Sequence, residues 1–223
     1  MRLAQLRSTT SNVARLEVAR DQSDRMMDEI KRNFESQRNA KNILLVGLPS
    51  VGKSSLINSL ASLILGKYIP VASRGQGVKL TRTYAAHRYE HFGITKAHLR
   101  GSPNEDRARI IHSHLPNLDD FIGLADENTE EMKEILSLKL FGHLEPGIQV
   151  TSLLDRQRKH GVGCLRSWYR KSKKEWKTDI VIFVHSVAIK EVPTELIECL
   201  LEIIKPKNTL CSVGKNIKHR KRK

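Results

Sequence analysis

The sequence has few of the residues that secreted, zinc-binding and membrane-spanning proteins depend on. Its 223 residues include three cysteines, and these have no metal-ligand spacing (Cys164, Cys199, Cys211). An odd number of cysteines without that spacing favours reduced thiols in a cytosolic protein. No apolar run approaches the roughly 20 residues that cross a bilayer, and the N-terminus lacks the apolar core of a secretory signal. We therefore expect a cytoplasmic protein without a membrane span.

Acidic residues are missing from one end of the chain. Residues 205–223 carry eight lysines and arginines and no aspartate or glutamate, which accounts for about half of the net charge of +15. The remaining excess includes a basic stretch at 166–177, in which Trp168, Tyr169 and Trp176 are interleaved. Because 205–223 has few apolar residues to bury, we predict that it is disordered. We expect this tail to contact polyanions or to direct the protein to the nucleus.

Glycine and proline are absent from residues 1–40, so neither residue interrupts a helix there. Apolar residues recur at three- or four-residue steps, which predicts an amphipathic helix (Val13, Leu16, Met27, Ile30, Phe34). The apolar stripe is too short for a coiled coil. We therefore favour a helix that packs on the edge of the domain over one that mediates self-association or binds a protein partner.

What the chain does contain is a complete phosphate-binding motif. Residues 47–55 read Gly-Leu-Pro-Ser-Val-Gly-Lys-Ser-Ser and follow an apolar, strand-like run at 43–46. In this motif backbone N–H groups surround one anion at a helix N-terminus, Lys53 reaches the β- and γ-phosphates, and the Ser54 hydroxyl ligates Mg²⁺. We expect the Lys53 ammonium to face solvent. The residues expected to bind the nucleotide are Gly47, Ser50, Val51, Gly52, Lys53, Ser54 and Ser55.

A second element should supply a carboxylate near the Mg²⁺. The run Asp-Phe-Ile-Gly that begins at Asp120 is our candidate. In GTPases the aspartate of Asp-x-x-Gly holds Mg²⁺ through water, and the glycine N–H binds the γ-phosphate. Asp119 and Asp126 compete for this role. Thr81 is our candidate for completing the Mg²⁺ shell from a loop, with Thr83 as its alternative.

Strand and helix patterns alternate along the chain, which predicts a three-layer α/β fold. We expect strands at 42–47, 81–92, 109–118 and 180–184, and helices at 53–65, from an N-cap at Asn128 onward, and at 193–204. The last strand is apolar throughout, which is typical of a central strand covered on both faces. Residues 142–164 are glycine-rich and polar, which predicts a loop. Together these features indicate a P-loop NTPase-like, mostly parallel sheet within a domain at 41–204.

The base-recognition half of a guanine site is missing from the sequence. An Asn/Thr-Lys-x-Asp motif after a late strand would bind the guanine edge, and none is present. Residues 176–179 hold a Lys-x-Asp, but they precede their strand instead of following it. The basic tail stands where a further strand is expected after the helix at 193–204. We therefore expect a domain that is incomplete at its C-terminal side and discriminates little between GTP and ATP.

Four stretches of the sequence together resemble the GTPase-like domain of the interferon-induced protein 44 family. They are residues 42–60, 82–84 with the strand that follows, 118–124 and 180–186, and the similarity spans about 38–204. The resemblance implies a divergent P-loop GTPase-like fold, a cytoplasmic location and a link to the innate immune response. It also implies that Gly47, Lys53 and Ser54 serve phosphate and Mg²⁺, and that Asp120 belongs to the switch element.

These observations predict a guanine-nucleotide-binding switch protein that uses GTP, GDP and Mg²⁺. Leu124 follows Gly123 at the position where a polar residue would orient water, so GTP hydrolysis should be slow or absent. Two alternatives stay open. One is a P-loop kinase for a small molecule or nucleoside, which would use ATP and close an arginine-rich lid such as 156–159. The other is a non-catalytic binding module with a vestigial loop.

Overall fold

The computed structural model describes residues 40–72 and 87–205, together with six separate positions between 21 and 32. Those six positions are helical and exposed (Asp21, Gln22, Arg25, Asp28, Glu29, Arg32). The other positions of the helix predicted within 1–40, the candidate threonines Thr81 and Thr83, and the tail at 206–223 lie outside the described residues.

Four strands form one mixed sheet in the described part of the chain. They are β1 (Asn42–Val46), β2 (His87–Tyr89), β3 (Asn117–Asp120) and β4 (Ile180–Phe183), in the spatial order β2-β3-β1-β4. β1 runs parallel to β3 and to β4, and β2 runs antiparallel to β3. The predicted α/β class is confirmed. Because three of the strands are parallel, their carboxyl ends lie at the same edge of the sheet, where α/β proteins bind ligands.

Seven α-helices accompany the sheet in the described ranges. They are α1 (Lys53–Leu65), α2 (Lys96–Leu99), α3 (Glu105–His112), α4 (Glu130–Leu140), α5 (Val150–His160), α6 (Cys164–Trp168) and α7 (Thr194–Ile204). The cap of α4 is Thr129 and not Asn128, because Thr129 Oγ1 accepts a hydrogen bond from the N–H of Met132 at 3.3 Å. Among these helices none is long and apolar enough to cross a membrane.

Alternating side chains of β1 contribute to two separate hydrophobic cores. Leu44 and Val46 belong to a cluster with α4, α5 and α7, on what we call the α4 face of the sheet. Ile43 and Leu45 belong to a cluster with α1 and α3, on the α1 face. All five residues of β1 are buried. Apolar helices therefore cover both faces of β1, and the loop that follows this strand starts from a fixed position.

The prediction of a strand at 109–118 is wrong, because α3 occupies its first part and β3 begins only near its end. In α3 the buried residues are Ala108 and Ile111, three positions apart as on a helix face. Glu105 pairs with Arg109 one turn further on, which supports the helix on its exposed side. The helical spacing of these buried residues shows that the segment forms a helix and not a strand.

The prediction of a loop at 142–164 is also wrong, because α5 lies within this range and α6 begins at its last residue. Val150, Leu153 and Gln157 recur at helical steps and form the buried side of α5. The other positions of α5 are mostly polar, which hid this short apolar stripe in the sequence.

β4 lies at an edge of the described sheet and not at its centre. Val181 and Phe183 pack against the core of the α4 face. Ile180 and Ile182, which alternate with them, are 46% and 38% exposed. The expectation of a strand covered on both faces is therefore wrong: β4 is apolar on both sides, but helices cover one side.

Candidate phosphate-binding site

Two glycines with different roles shape the loop between β1 and α1. A Cβ built on Gly47 would lie 2.2 Å from the carbonyl oxygen of Val184, so the end of β4 leaves no room for a side chain there. Gly52 has open space around it but adopts a φ of 102°, in the left-handed region that favours glycine. Ser50 is left-handed as well, with a φ of 62°. Turns of this kind direct successive N–H groups toward one point, which is the geometry of an anion-binding nest.

The helix α1 begins directly after that turn with an uncapped N-terminus. Its N-cap is Gly52, no side chain caps its first turn, and that turn contains no acidic residue. The first N–H groups of α1 therefore keep the positive end of the helix dipole available for an anion. Ser50 and Ser55 are exposed at this end of the helix. Val51 is 7% exposed, so its contribution to a ligand would come from its backbone.

Lys53 turns into the loop, and the expectation that its ammonium faces solvent is wrong. The residue is 7% exposed. Its Nζ donates hydrogen bonds to the carbonyl oxygens of Gly47 at 3.1 Å and of Leu48 at 2.9 Å. Burial lowers the pKa of Lys53, and the nearby Asp120 carboxylate opposes this effect. Because an ammonium has three N–H donors, the two loop bonds orient Lys53 and leave one donor for a phosphate oxygen.

The two halves of the predicted Mg²⁺ site meet in the structure. Ser54 Oγ donates a hydrogen bond to Asp120 Oδ2 at 2.6 Å. Ser54 lies in the first turn of α1, and Asp120 is the last residue of β3, the parallel neighbour of β1. These residues are 66 positions apart in the sequence. Parallel pairing of β1 with β3 therefore brings the hydroxyl and the carboxylate together beside the loop.

Asp120 is partly buried, and its surroundings affect its charge in opposite directions. Burial raises the pKa of Asp120, while the hydrogen bond from Ser54 and the charges of Lys53 and His87 lower it. His87 is the register partner of Asp120 across the β2–β3 pair. The sequence-based prediction missed His87, because nothing except the antiparallel pairing of a three-residue strand places it there.

The two competing aspartates stabilise other parts of the fold. Asp119 is fully buried and accepts hydrogen bonds from Arg88 Nε and from Lys139 Nζ, each at 2.7 Å. Asp126 Oδ1 accepts a hydrogen bond from the N–H of Leu196 at 3.0 Å, in the first turn of α7. Of the three candidate aspartates, Asp120 is the one that contacts α1.

The segment after β3 packs directly against the loop. A Cβ on Gly123 would lie 2.4 Å from the Cα of Pro49, so only glycine fits at this contact. The N–H of Leu124 donates a hydrogen bond to the carbonyl oxygen of Gly47 at 3.2 Å. The side chain of Leu124 is 2% exposed and belongs to the core of the α4 face. The Asp-x-x-Gly segment therefore lies beside the loop, while Leu124 directs its side chain elsewhere.

The donor set fits a Mg²⁺ ion whose shell is completed by phosphate and water. Proteins typically bind Mg²⁺ with one or two carboxylates plus substrate phosphates, and they leave several waters in place. Asp120 and Ser54 supply one carboxylate and one hydroxyl in contact. Within the described ranges no group of three or more His, Cys, Asp or Glu side chains could hold a metal ion, and a site of this kind does not require one. Thr81 lies outside those ranges, so its role stays a prediction.

Comparison with known proteins supplies no relative. No family model, curated protein or solved structure matches this chain. The resemblance to the interferon-induced protein 44 family therefore stays a prediction, and the case for a function depends on the geometry of the loop and its neighbours.

Proposed function

We propose that this protein binds a nucleoside triphosphate together with Mg²⁺ through the loop at 47–55. The observation that supports this best is the 2.6 Å hydrogen bond between Ser54 and Asp120. It joins a hydroxyl and a carboxylate beside an uncapped helix N-terminus, the ligand set that suits a phosphate-bound Mg²⁺. In this proposal the loop N–H groups bind the phosphates, Lys53 neutralises their charge, and Ser54 with Asp120 holds the cation.

The nucleotide that we propose is GTP or GDP, in a P-loop NTPase-like fold of the GTPase kind. The succession of β1, glycine turn and α1 supports this fold, and so does Asp120 at the end of the neighbouring parallel strand. The close contact of Gly123 with Pro49 supports a switch segment that responds to the γ-phosphate. The resemblance to the interferon-induced protein 44 family suggests a cytoplasmic role in the innate immune response. Discrimination between GTP and ATP should be small, because the sequence lacks the guanine-binding motif.

Hydrolysis by this protein should be slow or absent. GTPases orient the attacking water with a polar side chain near the Asp-x-x-Gly segment. Here Leu124 follows Gly123, and its side chain is buried in the core. A buried apolar side chain cannot position water, so we propose a binding switch rather than an efficient hydrolase.

The suggested lid at 156–159 does not support the kinase alternative. The run at 156–159 lies on α5. Arg156 Nη1 donates a hydrogen bond to the Tyr169 hydroxyl at 3.0 Å, and Gln157 Nε2 donates one to Glu134 at 2.8 Å. These side chains hold α5 to its neighbours, which does not suit a segment that closes over a substrate.

The second candidate function is that of a non-catalytic binding module with a vestigial loop. The two hydrogen bonds from Lys53 to loop carbonyls favour it, because they tie the phosphate-binding ammonium to the protein itself. Under this alternative the loop would be a structural turn, and the protein would act through its surfaces.

Titration of the full chain with fluorescent GTP and ATP analogues, in Mg²⁺ and in EDTA, separates these functions. We expect binding in Mg²⁺ with similar affinity for both nucleotides. Ser54→Ala and Asp120→Asn should each weaken binding in Mg²⁺ by about tenfold, because each removes a group that holds the cation. In EDTA the two substitutions should have little effect. Ser59→Ala is the matched control, because Ser59 is exposed and its hydroxyl donates a hydrogen bond to the carbonyl oxygen of Ser55, one turn earlier in α1.

Three results would contradict the proposal. If the wild-type chain binds neither nucleotide in Mg²⁺, the loop is vestigial and the protein is a non-catalytic binding module. Equal losses in Mg²⁺ and in EDTA would show that Ser54 and Asp120 do not serve a cation. A strong preference for ATP over GTP would favour the kinase alternative instead.

A further inference from the structure

A second surface of the protein combines dense positive charge with three aromatic residues, of which Trp168 is exposed. Residues 156–177, which we call the basic-aromatic surface, contain nine lysines and arginines and one acidic residue, Glu175. They comprise the end of α5, all of α6 and the segment that leads to β4. The lysines at 171, 173, 174 and 177 are all exposed. This concentration of charge belongs to the folded domain and is separate from the basic tail.

The aromatic rings of this surface lie among its cations. Trp168, the last residue of α6, is 48% exposed. The guanidinium of Arg156 lies 4.7 Å from the centre of the Trp168 ring, and the His160 ring lies 5.2 Å from it. Lys173 Nζ lies 3.9 Å from the centre of the Trp176 ring. Cations packed on aromatic rings keep these side chains in place while part of the Trp168 ring stays open to solvent.

A buried carboxylate keeps this surface rigid. Glu134 on α4 is 2% exposed. Its oxygens accept hydrogen bonds from Gln157 Nε2 at 2.8 Å, from the N–H of Gly163 at 2.8 Å and from the N–H of Arg166 at 3.1 Å. These bonds join α4, α5 and the start of α6, so Trp168 is presented from a fixed backbone.

The C-terminal end of the basic-aromatic surface lies at the opposite end of β1 from the phosphate-binding loop. The carbonyl oxygens of Glu175 and Lys177 accept hydrogen bonds from Asn42 Nδ2 at 3.0 and 2.8 Å. Asn42 is the first residue of β1, whereas the loop follows its last residue, Val46. A ligand bound at residues 175–177 would therefore not compete with a nucleotide in the loop.

We propose that the basic-aromatic surface binds single-stranded nucleic acid. Phosphates provide the charge that a dense basic surface attracts, and exposed aromatic rings stack with bases that are not already stacked in a duplex. A membrane fits less well, because a helix that inserts at a lipid surface presents a free apolar face, which neither α5 nor α6 offers. The apolar side of α5 is buried in the core through Val150 and Leu153, and α6 has five residues.

The test uses the full chain and a fluorescein-labelled RNA of mixed sequence, about 12 nucleotides long to match common single-strand sites. Fluorescence anisotropy measures its affinity at several salt concentrations, alongside the duplex of the same sequence. Arg166→Glu/Lys171→Glu should weaken binding of the single strand by more than about tenfold, because two phosphate contacts become repulsive. Lys96→Glu/Lys190→Glu is the control: it changes the net charge equally at exposed positions outside the surface. That control should change the affinity by less than about twofold.

The aromatic part is tested separately with Trp168→Ala. We expect the affinity for the single strand to fall about tenfold while its salt dependence stays the same, because a stacking contact and not a phosphate contact is lost. Trp168→Phe should restore most of the affinity, and it keeps the test valid if the alanine variant folds poorly.

Four outcomes would overturn the proposal. Equal losses in the two charge-reversal variants would assign the binding to general charge or to the basic tail. Unchanged affinity in both Trp168 variants would remove the stacking contact. Equal affinity for the duplex would contradict single-strand recognition. Binding to phosphatidylserine vesicles without binding to RNA would assign this surface to a membrane.

Discussion

Asp119 and Asp120 are neighbours on β3, but they lie on opposite faces of the sheet and have different surroundings. On the α4 face, Asp119 is fully buried between the cationic groups of Arg88 and Lys139. On the α1 face, Asp120 is partly buried and accepts a hydrogen bond from the hydroxyl of Ser54. A carboxylate that two cations already neutralise contributes to the fold, whereas a carboxylate with a neutral partner still has the charge to bind a metal ion.

β4 shows the same contrast between the two faces. Val181 and Phe183 pack into the core of the α4 face, while Ile180 and Ile182 on the other side are exposed. At β4 the α4 face is therefore the covered side of the sheet. The α1 face holds the candidate site beside β1 and an uncovered apolar side at β4.

Asp119→Asn should have the largest effect of the substitutions that compare these faces. It would leave the charge of Lys139, which is 0% exposed, without its carboxylate. Breaking a buried ion pair by removing one partner typically costs about 3–5 kcal/mol of the free energy of unfolding. Urea unfolding at pH 7 measures this loss, with Asp120→Asn as the matched control on the other face. Similar losses in both variants would show that the two aspartates do not differ in role.

Lys53→Met should weaken nucleotide binding by at least about tenfold, because it removes a charge-assisted hydrogen bond to phosphate. Methionine is preferable to alanine because Lys53 is buried, so a shorter side chain would also leave a cavity. Lys96→Met, at an exposed position on α2, is the control. Titration with a fluorescent nucleotide measures both, and unchanged affinity in Lys53→Met would exclude the loop as the phosphate site.

Asp120 should make the free energy of unfolding depend on pH, in a direction set by its environment. Burial raises the pKa of Asp120 above its ordinary value of 3.8. Between that value and the raised one, the folded state binds more protons than the unfolded state, so stability falls as the pH increases through this window. Urea unfolding of the wild type and of Asp120→Asn, from pH 3.5 upward, should show the variant gaining relative stability as the pH rises through that window. A constant difference between the two proteins would contradict it.

Ile182→Lys should have the smallest effect on stability, within about 0.5 kcal/mol, because Ile182 is 38% exposed at an edge strand. It should also reduce self-association, since a lysine on an edge strand opposes pairing with another chain. Light scattering and urea unfolding measure the two quantities. Val181→Lys makes the same change on the covered side of β4. It would place a charge against the core of the α4 face and should destabilise the protein clearly.

Strands and helices that short stretches of sequence specify were predicted correctly. The strand at 42–47, the glycine turn and the helix at 53–65 correspond to β1, the loop and α1, because nine consecutive residues specify the turn and the apolar spacing specifies what flanks it. The helix expected at 193–204 corresponds to α7 in the same way. Errors arose where local signals conflicted, as at 109–118, where β-branched residues lie on a helix.

The sequence by itself determined that a glycine turn stands between a buried strand and a helix, because the glycines and the apolar spacing that specify these elements act over a few neighbouring residues. Only the tertiary structure decided which aspartate joins it. Asp119 and Asp120 have the same side chain. The pleat of β3 directs Asp119 to Lys139 and Asp120 to Ser54. Strand order likewise placed His87 beside Asp120 and β4 at an edge. Such contacts join residues far apart in the chain, so they follow from strand pairing and register, which no local pattern encodes.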